Sequence, residues 1–159
     1  MKQNLKNPFQ HRPGYNCFGC SPDNPMGLKM KFQKEGEYIL SQWDPMDYYQ
    51  GYGNILHGGI QSTIMDEIAS WVVYTQIGTS GMTADLTVRY KDKVYTNKGT
   101  ITVKAKLAEK SRRLATIETQ IFNHKNELCS EGTIRYFLFP AEVAKRDLYY
   151  PGQDAFFED

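Results

Sequence analysis

His57-Gly58-Gly59-Ile60-Gln61-Ser62-Thr63-Ile64-Met65-Asp66-Glu67-Ile68-Ala69-Ser70-Trp71-Val72-Val73-Tyr74-Thr75-Gln76-Ile77 is the stretch from which the fold is read. Plotted at about 100° per residue, Ile60, Ile64, Met65, Ile68, Ala69, Trp71, Val72 and Val73 fill one wide apolar arc. Thr63, Glu67, Ser70 and Tyr74 cluster opposite, and Asp66 falls on the border between them. The pattern predicts one long helix over about 59–77. So wide an arc calls for a helix wrapped by something else, and a sheet is the natural wrapper.

Downstream the hydrophobic period changes from 3.6 to 2. Runs at about Met82–Tyr90, Gly99–Glu109, Leu114–Asn123 and Leu128–Phe139 read as strands, separated by Thr96-Asn97-Lys98-Gly99, by Lys110–Arg113 and by His124-Lys125-Asn126. Consecutive strands without helices between them predict an antiparallel meander. Upstream, Leu28, Met30 and Phe32 alternate with Lys29, Lys31 and Gln33, and Tyr38–Trp43 supplies a partner strand. The plan is α+β, with one long helix against about six strands. Residues 1–24, broken by Pro8, Pro13 and Pro22, read as an irregular arm, residues 25–139 as the domain, and 140–159 as a tail with no specified seat.

The rest of the composition narrows the function. At 159 residues the chain has the size of one domain. A formal charge of +1 excludes the cationic excess that nucleic acid or an anionic membrane surface demands. No stretch approaches the roughly 20 apolar residues of a membrane span, and Met1–Lys6 has no secretory apolar core. With 3 cysteines and no secretory signal, reduced thiols in the cytoplasm are expected.

Chemistry concentrates where the helix begins. Gly58 and Gly59 leave the first N–H groups uncovered at the positive end of the helix dipole, which suits a carbonyl oxygen gaining negative charge. Two turns on, Asp66 is an acid among mainly apolar neighbours, where its basicity can be tuned. The plain alternative is that the glycines only permit close packing, that Asp66 satisfies a buried hydroxyl, and that His57 is a polar loop residue.

The order His57-Gly58-Gly59, an acid nine positions after the histidine, and Met82-Thr83-Ala84 opening the next strand resembles the hotdog-fold acyl-CoA thioesterases of the PaaI type, the 4-hydroxybenzoyl-CoA thioesterase-like family. Cys17-Phe18-Gly19-Cys20-Ser21-Pro22-Asp23-Asn24-Pro25-Met26-Gly27-Leu28 is similar to a stretch before the first strand in one branch of that family. The resemblance covers roughly residues 15–139 and implies a long helix wrapped by a curved antiparallel sheet. It makes Asp66 the catalytic carboxylate, acting on water or directly on the thioester. Gly59 becomes the backbone donor to the thioester carbonyl, His57 the residue leading the loop, and Thr83 a hydroxyl that helps hold the attacking water. It also implies a site shared across a homodimer, or a dimer of dimers. The chain departs from the pattern at Tyr90-Lys91-Asp92-Lys93, which lacks a proline common in relatives, and at Gly51, where some relatives carry Asn.

The remaining candidates are weaker. Glu67 lies on the polar arc, so it reads as a solvated or interface residue with a lesser claim on substrate. Lys110, Arg112 and Arg113, with Lys91 and Lys93 behind them, are either a solvated turn or a contact for the phosphates of coenzyme A. Trp43, Tyr48, Tyr49, Tyr52 and Trp71 line either core or acyl pocket. Cys17-x-x-Cys20 lacks a second Cys/His pair, because His11, His124 and Cys129 do not form one. No metal is therefore expected, and no cofactor beyond the coenzyme A of the substrate. The expectation is a thioester hydrolase; a non-catalytic acyl-CoA-binding module and an acyl-thioester dehydratase on the same fold are the rivals.

Overall fold

The computed structural model describes residues 1–158. The expected helix forms as α1 (Gly58–Val72) and continues as one wider turn over Val73–Ile77. Most of its apolar arc is used: Ile64, Met65, Ile68, Ala69, Val72 and Val73 have no exposed surface, and Ile60 at the helix start is half-buried. Around it runs one antiparallel sheet of β1 (Lys2–Asn4), β2 (Gln33–Glu35), β3 (Tyr38–Trp43), β4 (Gly81–Tyr90), β5 (Ile101–Lys110), β6 (Leu114–Phe122) and β7 (Leu128–Leu138). Along β7 the helix-facing residues Gly132, Ile134, Tyr136 and Leu138 are buried, and the alternate Thr133, Arg135 and Phe137 are exposed. Gly132 lets the helix approach: a Cβ there would stand 2.8 Å from the Met65 sulfur and 2.9 Å from Thr119 Oγ1.

Three expectations change. The strand order is β1-β2-β3-β5-β6-β7-β4, so only β5, β6 and β7 form a meander. The 91–100 connection is held against the loop before the helix, by Leu56 N–H to Val94 O at 2.7 Å and Thr96 N–H to Asn54 O at 2.8 Å. That anchoring carries the chain across, so β5 joins β3 and β4 lies at the far edge beside β7. Second, Leu28, Met30 and Phe32 are buried as their alternation predicts, but the strand begins only at Gln33. Lys29 has φ 54, and the N–H groups of Leu28 and Met30 donate to Phe18 O and Gly19 O of the arm rather than to a ladder. Third, the arm is not wholly irregular, because Lys2–Asn4 pairs with β2 and makes a seventh strand.

The tail has a definite seat. α2 (Ala141–Asp147) leads to Phe156, which is fully buried and meets Trp71 edge-on at 5.5 Å and Tyr74 face-on at 5.3 Å. Phe9 of the arm packs on the same ring, and Lys6 N–H donates to Phe156 O at 2.9 Å. Arm and tail thereby close over the outer side of the helix, the side that the sheet leaves bare. Phe156→Ala is expected to lower unfolding free energy by about 3–5 kcal/mol. Urea titration checks this, with Tyr52→Ala, at a site 86% exposed, as the near-neutral control.

Candidate active site

Asp66 emerges at the edge of the buried arc, where two strands can reach it. Thr83 of β4 donates its hydroxyl to Asp66 Oδ1 at 2.7 Å. The β4–β7 register slips between Thr83 and Asp85, a bulge of the kind that re-aims a side chain. Tyr136 of β7 directs its phenol at 2.8 Å both to the same Oδ1 and to the Asp66 backbone carbonyl. Burial first, and then the Asp66 charge, raises the Tyr136 pKa, so this phenol stays protonated and donating. Among the described residues no donor reaches Oδ2, which leaves one carboxylate oxygen able to accept a proton from elsewhere. Sequence reasoning missed Tyr136; one buried aromatic in an alternating strand carries no mark of its role.

The helix start is arranged differently from the expectation. His57 is the N-cap, and its Nδ1 accepts the Gly59 N–H at 2.9 Å. The donor assigned to a thioester carbonyl is thus engaged within the chain. Tyr90 crosses the same end, donating to Gly58 O at 2.6 Å and meeting Ser62 Oγ at 2.9 Å. Gly59 and Asp66 lie seven residues apart on one helix, about 10 Å along its axis. One chain therefore brings Asp66, Thr83 and Tyr136 together but holds Gly59 and His57 away from them.

Lys110, Arg112 and Arg113 are exposed at the β5–β6 turn. Leu138 N–H donates to Arg113 O at 2.7 Å, and Lys110 and Tyr136 both pair with Ala115 in the sheet. The cationic turn consequently sits at the same end of the sheet as Tyr136 and Thr83. Arg112 and Arg113 also border a recess of about 350 Å³ with Phe137, Phe139 and Pro140.

Glu67 departs from its expected place. The N-terminal arm covers it: Cys17 Sγ lies 3.6 Å from both carboxylate oxygens, and Trp71 Nε1 donates to Oε1 at 3.3 Å. Burial, reinforced by the Cys17 charge, pushes the Glu67 carboxyl up to about 8. Hydrogen bonds from Cys20 and from the Gly19 and Cys20 backbone pull the Cys17 thiol down to about 5. The sequence reads Glu67 as a solvated or interface residue because nothing in it places the arm over the helix. Between this cluster and Asp66 runs a cavity of about 480 Å³, bordered by Cys17, Cys20, Glu67, Tyr74, Thr83 and Tyr136. Of the five aromatics considered for a pocket, Tyr74's neighbour Trp71 is core, stacked on Phe32 at 4.3 Å, and Trp43 is buried with its Nε1 on Leu28 O. Tyr48 and Tyr52 stand in solvent.

Residues 53–130 match the family model described as the thioesterase superfamily. Among solved structures, a thioesterase superfamily protein designated RHA08564 aligns with TM-score 0.67 at 21% identity, covering 74% of this chain and 57% of its own. The chain thus spans little more than half of that relative's length. A hypothetical thioesterase from Streptococcus pneumoniae TIGR4, solved with coenzyme A, aligns with TM-score 0.65 at 18% identity over 70% of this chain and 90% of its own. A Streptococcus mutans UA159 protein bound to acetyl CoA aligns with TM-score 0.66 at 16% identity, over 82% and 98%. These likenesses establish the hotdog fold, a long helix wrapped by an antiparallel sheet. No curated protein matches the sequence. No helix among the described residues is long and apolar enough to cross a membrane.

The His57 cap has a measurable consequence. His57→Ala should cost about 1 kcal/mol of stability by removing the side-chain acceptor from the Gly59 N–H. His57→Asn, which restores a capping acceptor, should recover most of it in the same denaturation series.

Proposed function

Because residues 53–130 match the thioesterase superfamily model, we propose that the chain is an acyl-CoA thioesterase of the PaaI type acting as a homodimer or dimer of dimers in the cytoplasm. The observation that carries this reading is the Asp66 carboxylate, oriented through Oδ1 by Thr83 and Tyr136 with Oδ2 left open. Water attacks the thioester carbonyl carbon while Asp66 Oδ2 takes its proton. The carbon–sulfur bond then breaks, the acyl group leaves as a carboxylic acid, and coenzyme A departs as its thiol after receiving a proton.

The oxyanion that forms in between needs a donor that Asp66's own helix cannot supply at that distance. A second copy would supply Gly59 from its helix start. β4 is the edge strand of the sheet, with Met82, Leu86 and Tyr90 exposed along it, and an unpaired edge of this kind is suited to joining a second sheet. In the composite site, Gly59 N–H exchanges His57 Nδ1 for the developing oxyanion, so His57 releases its cap as the substrate enters. Lys110, Arg112 and Arg113, at the same end of the sheet as Asp66, take the phosphates of coenzyme A.

The His57 cap also keeps the non-catalytic binding module in view, because a permanently engaged Gly59 N–H would leave the oxyanion without its donor. Thiol release separates the two readings. Asp66→Asn should keep the fold and lose turnover of acyl-CoA by on the order of 10²-fold or more. Wild-type protein that binds acyl-CoA in calorimetry without releasing thiol points to the module, and hydration of an enoyl thioester would point to a dehydratase. Mixing Asp66→Asn chains with Gly59→Pro chains should restore activity that neither variant has alone, which a site contained in one chain would not do.

A further inference from the structure

The arm and the helix converge on a second cluster that the proposed hydrolysis does not use. Cys17, Cys20 and Glu67 bring two sulfurs and a carboxylate oxygen within 4.8 Å of one another. In a tetrahedral zinc site, with Zn–S near 2.3 Å and Zn–O near 2.0 Å, sulfur and oxygen ligands stand about 3.5 Å apart. Cys17 Sγ and the Glu67 oxygens are 3.6 Å apart. We propose that Cys17, Cys20 and Glu67 form a binding site for a zinc-like divalent transition metal that ties the N-terminal arm to α1. This assignment stands independently of the hydrolase reading.

The surroundings are built for such an ion. Ser21 N–H donates to Cys17 O at 3.1 Å, which closes the turn that carries both sulfurs. Tyr15 OH lies 2.9 Å from Cys20 Sγ, and Asn7 Nδ2 donates to Tyr15 OH and to Cys20 O at 3.2 Å, an outer layer that orients the second sulfur. Gly19 is required for the approach, because a Cβ there would stand 2.4 Å from the Glu67 side chain. Once deprotonated, two sulfurs and a carboxylate this close repel one another, and a divalent cation bound between them offsets that repulsion. Among the described residues no Lys or Arg forms an ion pair with Glu67. The nearest cationic side chain on the shared cavity, Arg12, lies over the Tyr149 ring at 4.1 Å, and its buried Nε has no partner. Three protein ligands leave a fourth position for water, and all three border the 480 Å³ cavity that Thr83 and Tyr136 also line.

Spacing along the sequence argued against a metal because it sought a second Cys/His pair. The fold supplies a carboxylate from the helix in its place. Zinc is a better fit than magnesium or calcium, whose ligand sets are oxygen.

The test uses the full chain, purified and kept under a phosphine reductant, with cobalt(II) and zinc(II) as probes. Cobalt should produce a thiolate-to-metal charge-transfer band that saturates near one metal per chain. Zinc should displace it and raise the melting temperature, and elemental analysis after dialysis should find about one zinc per chain. Cys17→Ser/Cys20→Ser should abolish the band and the thermal shift, Glu67→Gln should weaken both, and Cys129→Ser should leave both intact. Folding of each variant is verified by circular dichroism, and the wild-type titration decides if the double variant does not fold. Folded, reduced wild-type protein that gives no band and retains no zinc overturns the site. Equal loss in Cys129→Ser and in the double variant overturns it as well. Thiol release from acyl-CoA is not a readout in any arm, so failure here leaves the hydrolase reading untouched, and the converse holds.

Discussion

One constraint governs the molecule: α1 is apolar around too much of its circumference for a single sheet face to cover. Ile64, Met65, Ile68 and Val72 enter the sheet and lose all contact with water, at a gain of roughly 1.5–3 kcal/mol for each large side chain. Trp71 and Tyr74 remain on the other side. Phe32 stacks on one face of Trp71, and the arm and tail bring Phe9, Tyr150 and Phe156 over what remains of Trp71 and Tyr74. The terminal segments are therefore the second half of the wrapper, and without them the Tyr74 ring and the outer edge of Trp71 would be bare.

The same geometry sorts the two neighbouring acids. A rotation of about 100° between consecutive helical residues sends Asp66 toward β4 and β7, and Glu67 toward the arm. Asp66 meets two hydroxyl donors and keeps a free oxygen. Glu67 meets two thiols and an indole N–H in a drier setting, and its carboxyl rises accordingly. Adjacent residues of similar chemistry thus take on different work through their surroundings alone. The cavity bordered by Glu67, Thr83 and Tyr136 makes the two settings contiguous, although no residue belongs to both.

Much of the fold was legible along the chain. The period of Ile60–Val73 marks the helix, and the alternation of Leu114–Phe122 and Leu128–Leu138 marks two strands to within a residue. These are local signals, since side-chain direction follows directly from helix or strand geometry. Pairing partners are not local. The sequence places β4 before β5, and nothing in either strand states that Leu56 and Asn54 will hold the connection between them and send β5 to β3. Lys29 shows the same limit: its neighbours alternate as in a strand, yet the carbonyls of Phe18 and Gly19 take the backbone donors.

For the site, the sequence alone determined which residues have the right chemistry: a glycine pair at a helix start, an acid on the border of its apolar arc, a hydroxyl at the head of the next strand, and a cationic turn. Only the tertiary structure decided which of them meet. It set Tyr136 against Asp66 from seventy residues away, turned His57 back onto the Gly59 N–H, and lowered Cys17 and Cys20 onto Glu67. The physical reason is range. Chemical identity and local periodicity are properties of a few neighbouring residues, whereas a hydrogen bond between distant segments exists only once the burial of one helix has brought those segments within about 3 Å of each other.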